Sequence, residues 1–106
     1  MLNFLKSLFG KTDNAALNAA LQAGAFLVDV RTPAEFSTGS AKGAVNIPLD
    51  KLAGQLAKFK GKDNIVVFCR SGNRSSQAKT ILEQNNFQHV INGGTWHNVQ
   101  QAVISN

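Results

Sequence analysis

Short apolar segments that alternate with helix-forming segments constrain the fold of this chain more than any other feature. Residues 25–30 (Ala-Phe-Leu-Val-Asp-Val) and 65–68 (Ile-Val-Val-Phe) are almost wholly apolar and rich in β-branched side chains, which is typical of strands buried on both faces. A segment with helix-forming signals follows each of them. This alternation predicts an α/β fold with a mostly parallel sheet that is flanked by helices on both faces.

Capping residues, chain breakers and spacing predict the other elements. Residues 12–24 open with capping residues, contain strong helix formers and end at a glycine, so they predict a helix. Thr32-Pro33-Ala34-Glu35 has the pattern of a capping box with proline at the first helical position, which should start a short helix. Further along we predict a strand at 44–47, one helix at 49–59 that Gly54 weakens, a helix at 75–85, a strand at 87–91, a Gly93-Gly94 turn and a helix at 95–104.

The length of 106 residues suits one compact core. We expect one domain, in which residues 25–106 form the sheet and its helices while residues 1–24 form helical segments that pack on it. Residues 1–10 have apolar positions at helical spacing, interrupted by Lys6, and packing on the domain is favoured over contact with a membrane surface because the segment is short. We expect no stable membrane insertion and a cytoplasmic location.

Charge and rare residues narrow the range of partners. Eleven Lys and Arg against six Asp and Glu give a net charge of +5, which favours anionic partners. Because no basic run is interleaved with aromatic residues, no nucleic acid partner is expected. The one cysteine, Cys69, and the two histidines, His89 and His97, form no metal-ligand pattern, so we expect no metal and no cofactor. We interpret His89 as a strand-edge residue and His97 as a helix-surface residue, both outside the site.

Cys69 begins a polar loop between the strongest predicted strand and the next helix. In a parallel sheet, ligands gather beyond the carboxyl ends of the strands, and a glycine-containing turn ahead of a helix can aim several N–H groups at one anion. For Cys69 that anion is its own thiolate, so we expect a pKa below the ordinary value. Arg70 and Arg74 could bind an oxyanion. An inert buried cysteine is the alternative, but a doubly basic loop favours a nucleophile.

Four ordered segments resemble motifs of the rhodanese family, and together they span most of the predicted domain. They are residues 27–36 (Leu-Val-Asp-Val-Arg-Thr-Pro-Ala-Glu-Phe), similar to the entry motif; residues 39–48 (Gly-Ser-Ala-Lys-Gly-Ala-Val-Asn-Ile-Pro), similar to the second motif; residues 69–75 (Cys-Arg-Ser-Gly-Asn-Arg-Ser), similar to the active-site loop; and Gly93-Gly94 with Trp96, similar to the closing motif.

That resemblance implies a single-domain thiosulfate sulfurtransferase. Cys69 would take the outer sulfur of thiosulfate or a similar small anionic donor, release sulfite, and hold the sulfur as a persulfide until a thiol or cyanide acceptor removes it. The substrate-binding loop would consist of Arg70, Ser71, Gly72, Asn73, Arg74 and Ser75. Asp29 and Arg31 would brace the loop region without taking part in the chemistry, with a structural ion pair between Arg31 and Glu35 as the alternative.

Other functions stay open at this point. Related phosphatases and arsenate reductases place five residues between cysteine and arginine, whereas four separate Cys69 from Arg74, and the smaller ring suits one sulfur atom better than a tetrahedral oxyanion. A relay of sulfur between this chain and a donor or acceptor protein, or a rhodanese-like binding module, is also compatible with the loop. Papain-like acyl transfer has little support because no histidine lies near Cys69.

Two departures from the family pattern affect the expected surroundings of the site. Ser40 stands where the family usually has histidine, and Trp96 follows Gly93-Gly94 more closely than usual. We expect the first to change a hydrogen bond beside the second motif and the second to rearrange the final turn.

Overall fold

The structure, a computed structural model, describes residues 14–106, and the amphipathic segment predicted at residues 1–10 lies outside this range. Its strands are β1 (Phe26–Asp29), β2 (Val45–Asn46), β3 (Ile65–Cys69) and β4 (Val90–Thr95). Its α-helices are α1 (Ala15–Gln22), α2 (Pro33–Ser37), α3 (Leu49–Leu52), α4 (Asn73–Gln84) and α5 (Trp96–Ser105), and a 3-10 turn covers Leu56–Phe59.

The four strands form one sheet in the order β2-β1-β3-β4, and every pairing is parallel. This confirms the predicted α/β fold. Because the strands are parallel, their carboxyl ends meet at one edge of the sheet. Asp29 at the end of β1 pairs in register with Phe68, the neighbour of Cys69 in β3. The sheet therefore places the predicted nucleophile beside the end of the strand that carries Asp29.

Side chains of β3 alternate between two apolar layers, as the period of a strand requires. Ile65, Val67 and Cys69 pack on one face with α3, α4 and the 3-10 turn, and Val66 and Phe68 pack on the other face with α1 and α5. All five residues have no exposed surface. Within residues 14–106, no helix is long and apolar enough to cross a bilayer.

The capping box predicted at the start of α2 is confirmed. The Thr32 hydroxyl accepts from the backbone N–H of Glu35, whose carboxylate in turn accepts from the backbone N–H of Thr32 at 3.1 Å. The proline of the motif occupies the first position of the helix. Local chemistry thus determines where this helix begins.

The prediction of a single helix over residues 49–59 is wrong, because the α-helix ends at Leu52 and a separate 3-10 turn begins at Leu56. Gly54 lies in the break and lowers the cost of leaving the helix. The turn lets the ring of Phe59 pack edge-on against Phe26 and Phe87, at centroid distances of 5.5 and 5.9 Å. Tertiary packing of one aromatic side chain therefore overrides the helical spacing.

The last strand also differs from the prediction, because β4 starts at Val90 and runs through both glycines. Val67 pairs with Asn92 and Phe68 with Gly94, so Gly93 is an extra, bulged residue. A Cβ atom on Gly93 would lie 2.6 Å from Val99 Cγ2. Gly93, which was predicted to be part of a turn, is the position where α5 packs directly on the sheet.

The two histidines lie on the surface. His89 immediately precedes β4 with a φ of 57°, and His97 lies in the first turn of α5. Both are exposed.

Candidate active site

Cys69 ends β3 at the carboxyl edge of the sheet, and the chain then turns into α4. The backbone N–H of Gly72 donates to Sγ of Cys69 at 3.0 Å, and the Oγ of Ser75 lies 3.5 Å from the same sulfur. The loop therefore folds back over its own first residue. The N–H of Gly72 and the hydroxyl of Ser75 therefore both lie against the sulfur.

The balance of these contacts lowers the pKa of Cys69 from its ordinary value. Burial is the largest influence and raises the pKa. The contact with the Ser75 side chain and the hydrogen bonds from the backbone N–H groups of Ser75, Ser71 and Gly72 lower it, and together they outweigh burial. The thiolate is thus stabilised by the loop, without a histidine base.

Gly72 can occupy its place in the loop because it has no side chain. Its φ of 96° lies in the left-handed region, which costs little for glycine and much more for other residues. This conformation turns the N–H of Gly72 toward Cys69. The sequence predicted that a glycine-containing turn could aim N–H groups at the sulfur, and the structure shows that Gly72 supplies one such donor.

Asn92 is a site residue that sequence reasoning missed. From β4 its Oδ1 accepts from the hydroxyl of Ser75 at 2.7 Å and from the backbone N–H of Gly94 at 2.9 Å. Its Nδ2 donates to the carbonyl oxygen of Gly72 at 3.1 Å. A polar residue in an apolar strand next to two glycines was the only available signal, and it carried no information on the partner.

Arg74 forms a two-pronged ion pair with Glu35. Its terminal nitrogens lie 2.6 and 3.0 Å from the two carboxylate oxygens. The alternative pair of Arg31 with Glu35 is therefore wrong, because Arg31 pairs with Asp29 instead, at 2.6 Å. The sequence could not separate these options, since they depend on how α2 lies against the start of α4.

Asp29 and Arg31 form a buried pair beside the loop that leads to β2. Besides Arg31, the Asp29 carboxylate accepts from the hydroxyl of Ser40 at 2.7 Å, and Arg31 donates to the carbonyl oxygen of Gly39 at 2.6 Å. In the described chain, the hydrogen bonds recorded for these two side chains reach Gly39 and Ser40 and not the Cys69 loop. Their direct structural effect is on residues 39–40.

The two departures from the family pattern meet in this region. Ser40, at the position where the family usually has histidine, donates its hydroxyl to Asp29. Trp96 starts α5, and its ring centroid lies 5.2 Å from the guanidinium carbon of Arg31; a Cβ atom added to Gly39 would lie 3.4 Å from the same ring. The early tryptophan thus covers the buried ion pair.

The other predicted loop residues differ in exposure. Arg70, Ser71 and Asn73 are exposed, and Ser75 is fully buried. Across the described residues, no group of three or more Cys, His, Asp or Glu side chains is arranged to hold a metal ion. Arg74 is one source of positive charge near the sulfur, since it interacts electrostatically with Cys69.

Comparison with known proteins agrees with this geometry. Residues 13–98 match the family model of the rhodanese-like domain. The chain belongs to the rhodanese-like domain family. In this rhodanese domain, the matched region contains the cysteine loop, the Asp29–Arg31 pair and Asn92.

Two curated relatives are named thiosulfate sulfurtransferases. The domain is 36% identical over 69 residues to thiosulfate sulfurtransferase PspE of Escherichia coli, a match of 63% of this chain and 66% of that protein. It is 42% identical over 82 residues to the chloroplastic thiosulfate sulfurtransferase 16 of Arabidopsis thaliana, a match of 66% of this chain and 68% of that protein. The match thus spans a little under two thirds of the length of PspE.

A solved structure has the same fold. The human single-domain sulfurtransferase TSTD1 superposes with a TM-score of 0.66 at 29% identity, over 80% of this chain and 89% of that chain. The parallel sheet of this rhodanese domain and the helices that flank it are therefore shared with that structure.

Proposed function

We propose that this rhodanese domain is a sulfurtransferase that moves a sulfane sulfur from thiosulfate, or a similar anionic donor, to a thiol or cyanide through a persulfide on Cys69. The observation that carries the proposal is the 3.0 Å hydrogen bond from the Gly72 N–H to Sγ. A donor aimed at that sulfur from within its own loop stabilises the thiolate needed for attack.

The first half-reaction needs no external oxidant or base. The Cys69 thiolate attacks the outer sulfur of thiosulfate, the new S–S bond forms, and the old S–S bond breaks with its electron pair leaving on sulfite. The terminal sulfur of the resulting persulfide is anionic. The N–H groups of Ser71, Gly72 and Ser75, which stabilise the thiolate, stabilise this anion by the same interaction.

In the second half-reaction, an acceptor thiolate or cyanide attacks the terminal sulfur of the persulfide. The Cys69 thiolate leaves with the electron pair of the S–S bond, and the product is a new persulfide or thiocyanate. Atoms and charge balance over the cycle, and Cys69 returns to its starting state.

Two arginines differ in what they offer an anionic donor. Both terminal nitrogens of Arg74 donate to Glu35. Arg74 therefore contributes positive charge but does not offer its paired N–H groups to the sulfur donor. Arg70 is exposed at the first position of the loop and is the residue that we assign to the sulfite end of the donor. Cys69 itself has no exposed surface, so the proposal requires residues 70–73 to shift outward and admit the outer sulfur.

The Arg74–Glu35 pair also weighs against phosphatase or arsenate reductase activity. In such an enzyme the arginine must direct its paired N–H donors at the oxyanion. Here the carboxylate of Glu35 already occupies them. The four-residue spacing to Cys69 and this ion pair both favour sulfur transfer.

Intact mass after incubation with thiosulfate tests the proposal. We expect a gain of one sulfur atom that dithiothreitol reverses, together with release of sulfite, and we expect Cys69→Ser to lose both. Arg70→Gln should raise the KM for thiosulfate, whereas Lys62→Gln, before the opposite end of β3, should not. If Cys69 is shown to be reduced and accessible and still acquires no sulfur, the proposed sulfurtransferase activity would be excluded and a rhodanese-like binding module would be favoured.

A further inference from the structure

The side-chain amide of Asn92 has one possible orientation, because its two backbone partners differ in kind. Nδ2 donates to the carbonyl oxygen of Gly72, and Oδ1 accepts from the N–H of Gly94. A carbonyl oxygen cannot donate and a backbone N–H cannot accept, so a reversed amide would lose both bonds. Oδ1 therefore faces the hydroxyl of Ser75 as an acceptor.

The hydroxyl of Ser75 has a single proton, and two acceptors lie around it. Its Oγ is 2.7 Å from Oδ1 of Asn92 and 3.5 Å from Sγ of Cys69. Because Oδ1 can only accept, the proton points to Asn92. Toward Cys69, Ser75 is then an acceptor for the S–H of the neutral thiol. With the Ser75 proton directed to Asn92, the arrangement suits the protonated cysteine.

Ionisation of Cys69 reverses this direction. The S–H bond breaks, the proton goes to solvent, and the sulfur can only accept. Ser75 stabilises the thiolate only if its O–H turns from Asn92 to Sγ, while Asn92 keeps its bonds to Gly72 and Gly94. We propose that Asn92 is a positioning residue that competes with the Cys69 thiolate for the one proton of Ser75, and so sets the fraction of reactive thiolate.

The charges around Cys69 stay constant when Asn92 is replaced. Arg74 interacts electrostatically with both Cys69 and Asp29, and it is paired with Glu35. Arg70 adjoins Cys69 in the loop and is exposed. Asn92 is neutral, so its replacement by alanine changes none of these charges. The inference rests on the proposed function only for its consequence, the rate of sulfur transfer; the thiolate fraction is measured without any sulfur donor.

The composition of the chain makes the thiolate easy to observe. The protein has one cysteine and no tyrosine, so the ultraviolet absorbance of the thiolate can be titrated without interference from a second thiolate or a tyrosinate. At a fixed pH, Asn92→Ala should raise the thiolate-to-thiol ratio about fivefold, the effect of one hydrogen bond. Ser75→Ala should lower the ratio by a similar factor.

The double variant decides whether Asn92 acts through Ser75. Asn92→Ala combined with Ser75→Ala should titrate like Ser75→Ala alone, because no hydroxyl proton is left to compete for. A rise in the Cys69 pKa in Asn92→Ala, or an effect of Asn92→Ala that persists without Ser75, would overturn the proposal in favour of a purely structural role in holding Gly72.

A second measurement uses the wild-type chain and covers the case in which Asn92→Ala does not fold. The N–H of Gly94 and the hydroxyl of Ser75 donate to the same acceptor, Oδ1 of Asn92. The NMR chemical shift of the Gly94 amide should therefore change with pH as Cys69 titrates, and it should not change with pH in Cys69→Ser. A Gly94 amide signal whose chemical shift does not change as Cys69 titrates would overturn the proposal. If the thiolate behaves as expected but no sulfite is released from thiosulfate, the proposed function alone fails.

Discussion

Glu35 accepts a hydrogen bond from each terminal nitrogen of Arg74, although the two lie 39 positions apart in the chain. The pair joins α2 to the first turn of α4, directly after the cysteine loop. The two side chains are 30% and 33% exposed, so solvent screens their attraction. The pair therefore orients Arg74 more than it stabilises the fold.

Glu35→Gln should reduce the free energy of unfolding at neutral pH by about 1 kcal/mol or less. The hydrogen bond from Arg74, followed by that from the Thr32 backbone, lowers the pKa of Glu35 from 4.5 to about 2. Because the pKa is lower in the folded state, the stabilisation is complete above about pH 4.5 and is lost as the pH falls toward 2. The free energies of unfolding of wild type and variant, measured by urea denaturation, should therefore become equal as the pH falls.

Glu83→Gln is the control for this experiment. Glu83 pairs with Lys79 at 3.1 Å on the outside of α4, and its side chain is 49% exposed. We expect a smaller change in unfolding free energy and no effect on sulfur transfer. A difference between wild type and Glu35→Gln that persists unchanged to pH 2 would contradict the role given to the ion pair.

Gly72→Ala should both destabilise the fold and impair sulfur transfer. A left-handed conformation costs a non-glycine residue about 1–2 kcal/mol, and relief of that strain would turn the N–H away from Cys69. Loss of this donor should raise the pKa of the thiol. Gly61→Ala is the matched control, since Gly61 has a φ of 79° and open space around it but lies before the opposite end of β3. Equal loss of sulfite release in both variants would refute the assignment.

Ser40→Ala should lower the free energy of unfolding by about 1–3 kcal/mol, because it removes a hydrogen bond to a buried carboxylate. Asp29 has no exposed surface, and Ser40 is one of its partners. Ser37→Ala removes an exposed hydroxyl that donates to a carbonyl oxygen and should change stability much less. Chemical denaturation measures both. Equal stability of the two variants would show that Arg31 alone satisfies Asp29.

Gly93→Ala should destabilise the domain by about 1–3 kcal/mol through overpacking. The added Cβ would lie 2.6 Å from Val99 Cγ2 and 3.0 Å from Val66 Cγ1, between α5 and the sheet. At Gly54 the nearest atom to a new Cβ is 3.6 Å away, so Gly54→Ala should be neutral or stabilising by up to about 1 kcal/mol. The Tm of each variant from thermal unfolding tests this. A Tm of Gly93→Ala equal to that of the wild type would disprove the tight contact.

Local sequence signals predicted much of this structure. The apolar segment of β3, the Thr32–Glu35 capping box and the polar loop after Cys69 each depend on neighbouring residues, so their effects can be inferred from the sequence. Because the loop after Cys69 is formed by consecutive residues, the sequence was also sufficient to predict a turn that stabilises an anion. The role of Cys69 in sulfur transfer stays a prediction until the adduct is measured.

The remaining features arise from contacts between residues that are distant in the chain. The partner of Glu35 depends on where α4 starts relative to α2, and the contact of Asn92 with Ser75 depends on the register of β4 against β3. The bulge at Gly93 and the broken helix before Phe59 follow from packing across the sheet. The sequence by itself determined the alternation of strands and helices and the place of the cysteine loop between a strand and a helix; only the tertiary structure decided which polar groups meet there, because hydrogen bonds act over a few ångströms.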